Sequence, residues 1–453
     1  MRDALLMTIV VALCLVSLVR ARIGLLGYTW YALMRPDALA WSGANPYSFS
    51  IAVATILGSV PSLPARLPVL FHNPLTLLLL LLHIPFVLSA IFALDPQLAY
   101  PNLFQHLRGF VMALLIPLLL ADRKGAKWVT LVMGVSVGLI GAKFGMWGLW
   151  HGGARFARGY YGMMLDNNAL GLAVAMGLPL LWFGMRLVEQ LWAKVTLFSL
   201  FFLSLAGAVM TYSRTTALAL AAAFLLIAYR SKHKLVILVA IALLATPLLL
   251  LLGSSYLERL ATISNPTEES SAYSRLIMWK AGWRLFLEHP VLGVGFGRDN
   301  QQAVIRRFLP PEAESIHEVL VMHSTWMQLL VDSGIFAFLL YTALMAITIW
   351  NLGKAYRRTR KTDPELAAIA AGLHASIVAF AVGATFLSRV EFDLYYMLVA
   401  TAAALYEIRR ESDKASAPAA LSGDQPESGL PTSLSAPAGF PLIRIRHPGG
   451  DAR

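Results

Sequence analysis

Stretches of 16 to 25 residues that are apolar and almost free of charge recur from one end of this chain to the other. As a helix rising 1.5 Å per residue, each is long enough to cross a hydrocarbon core ~30 Å thick. Lipid offers the backbone no hydrogen-bond partner, so a crossing segment must be a helix or part of a closed barrel. These runs lack the two-residue alternation of barrel strands. The chain is therefore expected to be all-α and polytopic. With 58% hydrophobic and 14% charged residues among 453, it carries far more uninterrupted apolar sequence than a soluble core needs. The single cysteine, Cys14, lies inside the first run, reads as a small core residue, and excludes an intrachain disulfide.

The periodicity predicts helices near 4–19, 23–34, 48–63, 72–94, 107–121, 128–150, 168–186, 193–212, 214–230, 235–253, 326–350, 366–388 and 392–408. The run 23–34 is interrupted by Gly24, Gly27 and Trp30, stops at Arg35-Pro36, and is short for a crossing. One of the first two helices is thus expected to be tilted or re-entrant, leaving about twelve spans. Arg20-Ala21-Arg22 follows the first run where a signal peptide would have a small-residue cleavage site, so that run reads as a retained anchor. A net charge of +12 would suit nucleic acid, but the positives do not gather on one domain face. They sit in short clusters between apolar runs: Arg20/Arg22, Arg123/Lys124/Lys127, Arg230/Lys232/Lys234, and Lys354 through Lys361. Such clusters mark cytoplasmic loops. The connections 95–106, 151–167, 211–214, 254–325 and 388–392 then face the periplasm. Four regions follow: an N-terminal bundle over 1–253, a periplasmic loop or lid over 254–325, C-terminal helices over 326–410, and a tail over 411–453. That tail is rich in Ser, Ala, Pro and Gly and is expected to be disordered and cytoplasmic.

Chemistry is concentrated in the outward loops. Ser270-Ser271 can cap a helix running to Glu288, where His289-Pro290 stops it. Arg275, Trp279, Gly282, Trp283 and Phe286 form one stripe on that helix, which suits either the membrane interface or a packed lid. Arg275 falls in the first turn, where unsatisfied amides also favour an anion such as phosphate. Arg214 sits in the tight turn Thr211-Tyr212-Ser213-Arg214, as a solvated turn residue or as a bidentate phosphate ligand. His323, where the long loop re-enters the membrane, is either a structural hydrogen-bonder or a base for a hydroxyl near neutral pH. Asp332, nine residues on, would lie on the opposite helix face and ~14 Å along the axis, which disfavours a direct dyad. Glu391 and Asp393 read as rim carboxylates rather than metal ligands. Lys143, inside an apolar run, is expected to snorkel or pair. No phosphate-binding Gly-rich loop, dinucleotide fingerprint or nucleophile elbow is present, so a donor must bring its own energy, and neither metal nor cofactor is expected.

The order of these motifs resembles one family. Thr211-Tyr212-Ser213-Arg214-Thr215, Ser274-Arg275 ahead of Trp279, His289-Pro290-Val291-Leu292-Gly293-Val294-Gly295-Phe296-Gly297, and His323-Ser324 followed by Leu329 and Asp332-Ser333-Gly334 match the O-antigen ligase and polymerase superfamily in order. The likeness covers residues 70 to 400. The stretch Asp166-Asn167-Asn168-Ala169-Leu170 and the layout are most similar to O-glycosylation ligases associated with exosortase systems. The resemblance implies a metal-independent, GT-C-type membrane glycosyltransferase of the bacterial inner membrane. Its site would face the periplasm and pass a glycan from undecaprenyl pyrophosphate to a hydroxyl of lipid A-core or of protein Ser/Thr. It also implies that Arg214 and Arg275 hold the pyrophosphate and that His323 is the base. Arg155, Arg158 and Arg108 are further candidates for the diphosphate or sugar, or else surface positives near lipid headgroups. Asp332 stands where the family more often has Glu. A polymerase of the same superfamily, and a transporter or lipid-linked glycan flippase, are the competing readings.

Overall fold

The computed structural model describes residues 2–39, 47–154, 156, 158–230, 270–309 and 321–416. The segments 235–253 and 254–269, Arg155, and residues 417–453, all subject to expectations above, lie outside the described residues. The described chain is all-α: α1 (Arg2–Val19), α2 (Ala21–Met34), α3 (Tyr47–Ser59), α4 (Leu63–Arg66), α5 (Val69–His72), α6 (Pro74–Ile91), α7 (Pro96–Leu119), α8 (Arg123–Trp150), α9 (Asn167–Gly184), α10 (Leu191–Val209), α11 (Arg214–Arg230), α12 (Ser270–Glu288), α13 (Arg298–Val304), α14 (Thr325–Thr359), α15 (Pro364–Ala384) and α16 (Asp393–Ser416).

Among the described residues, eight helices are long and apolar enough to cross a membrane: α1, α6, α7, α8, α9, α10, α14 and α15. A ninth crossing results if α3 and the bent α4–α5 segment, which turns by 83°, count as one. The chain is a polytopic membrane protein. The expected shortness of the second helix holds: α2 has 14 residues and ends at Arg35, whose φ of 47° closes it in the left-handed region. Two boundaries differ from the periodicity. Residues 96–106, expected as a loop, are the first turns of α7, because Asp95 caps the helix (Gln97 N donates to Oδ1, 2.9 Å) and Pro96 takes the first position, where no amide bond is lost. At the other end, α16 continues past 410 to Ser416.

α9 and α15 pack against each other at the centre, with 83% and 78% of their spans buried. A helix apolar all round is what that position requires. α8 and α10 pack alongside, and their glycines let the backbones touch: a Cβ at Gly145 would run into the Leu203 carbonyl, and one at Gly207 into that of Gly141. α1 lies at the periphery, with 17% of its span buried.

One crossing explains the glycine-rich motif. α14 is broken at Gly334 (φ 76°, ψ −173°), which frees carbonyls that lipid cannot satisfy. The segment 289–297 fills the break. Val294 N donates to Val331 O (2.8 Å), Gly295 N to Asp332 O (3.1 Å) and Ile335 N to Pro290 O (2.9 Å), while Ser89 Oγ on α6 donates to Asp332 O (2.6 Å). A side chain at Gly293 would collide with the backbone of Asp332 and Ser333, and one at Gly334 with Val291 O, so the glycines are required by this contact.

Candidate functional site

His323 stands in an irregular stretch just before α14, with φ 47°. α12 fixes that stretch from one side. Trp279 Nε1 donates to Met322 O (2.7 Å), and Gly282 leaves room for the Met322 and Met327 side chains. Below them Met278, Ala281, Leu285 and Phe286 of α12 form a small core with Val294, Ile305, Met322, Leu330 and Val331. Of the stripe expected on this helix, Phe286 joins this core, and Trp279 and Gly282 meet Met322. Trp283 remains about half exposed at 49%.

Arg275, one turn before Trp279, stands close enough to His323 for its charge to act on the imidazole. Arg298, at the start of α13, does the same. Burial first, and then these two cations, push the imidazole pKa down to about 4, so His323 is neutral at physiological pH. α13 is held by α7: Asn102 Nδ2 donates to Asp299 Oδ2 (2.8 Å), Asp95 N donates to Asn300 Oδ1 (2.8 Å), and Asn300 Nδ2 donates to Asp95 O (2.9 Å). Asp332 is buried beside Gln328 and Glu391.

A second line of contacts runs from His323 along the rim. Thr325 Oγ1 donates to Leu387 O (2.6 Å) and accepts from Arg389 N (3.1 Å). Arg389 is paired through Nη2 with Asp166, whose other oxygen caps α9 by accepting from Ala169 N (2.9 Å). The neighbouring Asn167 Nδ2 donates to Thr211 O (3.0 Å), in the turn that leads to Arg214. Tyr212, in that turn, has φ 52°, and its hydroxyl donates to Gly153 O (3.1 Å). The motifs around 166, 211–214, 323 and 389 are therefore one connected rim.

The candidate residues divide into groups. Arg275 and His323 are brought together, and Arg214 opens α11 on the same rim, linked through Thr211, Asn167, Asp166 and Arg389. Arg158 is exposed in the loop before α9. Arg108 lies within α7, its guanidinium 5.2 Å from the Phe104 ring centroid. It lines a groove of about 570 Å³ with Arg35, Phe49, Val53 and Asp393. Sequence reasoning missed Arg298 and Arg389. Arg298 directly follows the glycine motif, a position where the backbone approaches a site closely, and that was the available signal. Arg389 had none, since its partner Asp166 is 223 residues away.

Two cations around a neutral imidazole, at the end of membrane helices, can bind an anion and accept a proton. Among the described residues no three His, Cys, Asp or Glu side chains converge as a metal set. Residues 199–342, from α10 into α14, match the family model described as O-antigen ligase, a span that includes Arg214, Arg275, Arg298 and His323. Residues 1–176 match a model described as a family of unknown function. No curated protein matches the chain.

Proposed function

We propose, from the match of residues 199–342 to the O-antigen ligase model, that the chain belongs to the O-antigen ligase and polymerase superfamily and is a ligase transferring an assembled glycan from undecaprenyl pyrophosphate to an acceptor hydroxyl. The acceptor would be lipid A-core or a protein Ser/Thr. The observation that carries the reading is the neutral His323 held beside Arg275 and Arg298.

The donor's head carries the charge that these cations suit, and its glycosyl–phosphate bond carries the energy. In the proposed step the acceptor oxygen forms a bond to the anomeric carbon as the anomeric carbon–oxygen bond to the diphosphate breaks. Undecaprenyl pyrophosphate leaves with the electron pair, and the hydroxyl proton passes to His323. Arg275 and Arg298, with Arg214, stabilise the charge that develops on the leaving diphosphate. Arg158, Arg155 and Arg108 are proposed as outer contacts to the diphosphate or sugar. The basic clusters at the opposite end support an inner-membrane orientation with this rim in the periplasm and the loop containing α12 as its lid.

The electrostatics also gives an order of events. In the empty site the two cations disfavour the imidazolium; a bound diphosphate offsets them, so the His323 pKa rises and the imidazole becomes a stronger base when the donor is in place. Transfer from a defined undecaprenyl-pyrophosphate glycan, with lipid A-core and a protein acceptor supplied in parallel, tests the reading. Product on either acceptor supports it. Extension of a second lipid-linked repeat in place of both would establish a polymerase, and transbilayer movement of the donor without transfer would establish a flippase.

A further inference from the structure

At the end of the bundle opposite His323, four cations from four parts of the chain meet around one cleft: Arg20 between α1 and α2, Arg22 on α2, Arg66 on α4 and Lys124 on α8. The cleft has a volume of about 650 Å³ and apolar walls that include Val19, Leu26, Pro61, Leu119 and Trp128. A carboxylate beside it, Asp122, is already engaged. Asp122 accepts Gly125 N at Oδ1 (3.0 Å) to cap α8, and Oδ2 pairs with Arg22. Arg20, Arg66 and Lys124 make no ion pair or side-chain hydrogen bond with the described residues, and all three are exposed.

The surroundings restrict what can balance that charge. The cleft adjoins the end of α1, a helix with only 17% of its span buried, where Val19 is 83% exposed. Trp128, at its edge, is 53% exposed, as suits a ring at the membrane–water boundary. The bend of 83° between α3 and the α4–α5 segment carries Arg66 to the cleft instead of leaving it beyond a straight helix. A soluble anion would satisfy the cations but leave the apolar wall wet. A neutral lipid would do the reverse. We propose that this cleft binds the headgroup of an anionic phospholipid, with its phosphodiester among Arg20, Arg66 and Lys124 and its acyl chains along α1. The excess of positive charge favours a doubly anionic lipid of the diphosphatidylglycerol type over a singly anionic one.

The test uses the full chain purified in detergent, with retained lipid counted by native mass spectrometry and thermal midpoints followed during lipid addition. Diphosphatidylglycerol is expected to remain bound and to raise the midpoint, with phosphatidylcholine doing neither. Each cation replaced by glutamine should weaken binding roughly fivefold, and Arg20→Gln/Arg66→Gln/Lys124→Gln together on the order of a hundredfold. The charge-conserving pair Arg20→Lys/Arg66→Lys should retain binding, as should Arg123→Gln, whose native partner is Asp363 outside the cleft (2.5 Å). Undiminished binding by the triple variant overturns the proposal, and so does equal binding of phosphatidylcholine. Displacement of the lipid by inorganic phosphate at comparable concentration would make this a soluble-anion site and also overturn it. If the triple variant does not fold, the three single variants, measured separately, decide the matter.

Discussion

The two ends of the helix bundle are built on different principles. At the end with the basic clusters, helices begin at ordinary caps: Asn73 accepts Leu75 N (3.0 Å), Asp122 accepts Gly125 N, and Asp363 accepts Leu366 N (3.1 Å). Side-chain contacts join the elements there: Arg123 pairs with Asp363, Lys127 with Glu365 (3.4 Å), and Glu407, which pairs with Arg410 within α16 (3.2 Å), lies 2.9 Å from His72 Nε2. At the other end lie all the non-glycine residues with positive φ among the described residues, Arg35, Tyr212 and His323, and also Gly152, Gly153, Gly162, Gly293, Gly295, Gly297 and Gly334. A non-glycine residue in that region costs roughly 1–2 kcal/mol, and such residues persist only where packing over-determines them. One end is fastened by caps and ion pairs, and the other, which has the caps at Asp95 and Asp166 and the Arg389–Asp166 pair as well, also holds side chains in positions that regular helices do not offer.

That contrast can be broken by substitution, and the largest effect is expected at the irregular end. If His323 is the proton acceptor proposed above, His323→Ala should lower glycan transfer by about 10²–10⁴-fold with the thermal midpoint preserved. Arg275→Gln should reduce transfer by roughly 10- to 100-fold, the effect of removing the charge-assisted contact proposed to the diphosphate. The same change removes a positive neighbour, so the His323 pKa should move up from about 4 toward its ordinary value, measurable as a shift in the acid limb of the rate. Gly334→Ala affects both properties. Its backbone lies in a region essentially reserved for glycine and its Cβ would meet Val291 O, so it should destabilise the chain by about 1–3 kcal/mol and displace the 289–297 segment that leads to Arg298. At the fastened end, Asp363→Ala should cost about 1 kcal/mol through the lost cap, with kcat unchanged. Smallest of all, Lys127→Gln removes a partly exposed pair and should shift stability by less than about 1 kcal/mol.

Much of the fastened end was legible in the sequence. Apolar runs set most of the crossings, because that signal acts within a few residues, whereas the caps at Asp122 and Asp363 emerged only from the structure. The helix Ser270–Glu288 was legible for the same reason, with serines at its start in the sequence and His289-Pro290 at its stop. The break in α14 was not. Asp332-Ser333-Gly334 sits inside an apolar run, and the break is stabilised by a segment some 40 residues earlier whose glycines look like an ordinary loop. Within the site, Arg275 and His323 could be named individually, yet their approach depends on Trp279 reaching Met322, a contact spanning 43 positions. Arg298 and Arg389 act through contacts made only in the folded chain. The beginning of α7 was missed because Asp95-Pro96 reads equally as a turn and as a cap followed by a first-turn proline.

The pH dependence of glycan transfer by the purified enzyme, with kcat/KM and kcat measured separately, tests the pairing of His323 with its two arginines most directly. The first constant reports the free enzyme and the second the enzyme with donor bound. The acid limb of kcat/KM should fall near pH 4, well below that of an ordinary imidazole, and the limb of kcat should lie higher because the diphosphate offsets Arg275 and Arg298. Coincident limbs near 6.5, unmoved by Arg275→Gln, would contradict the account.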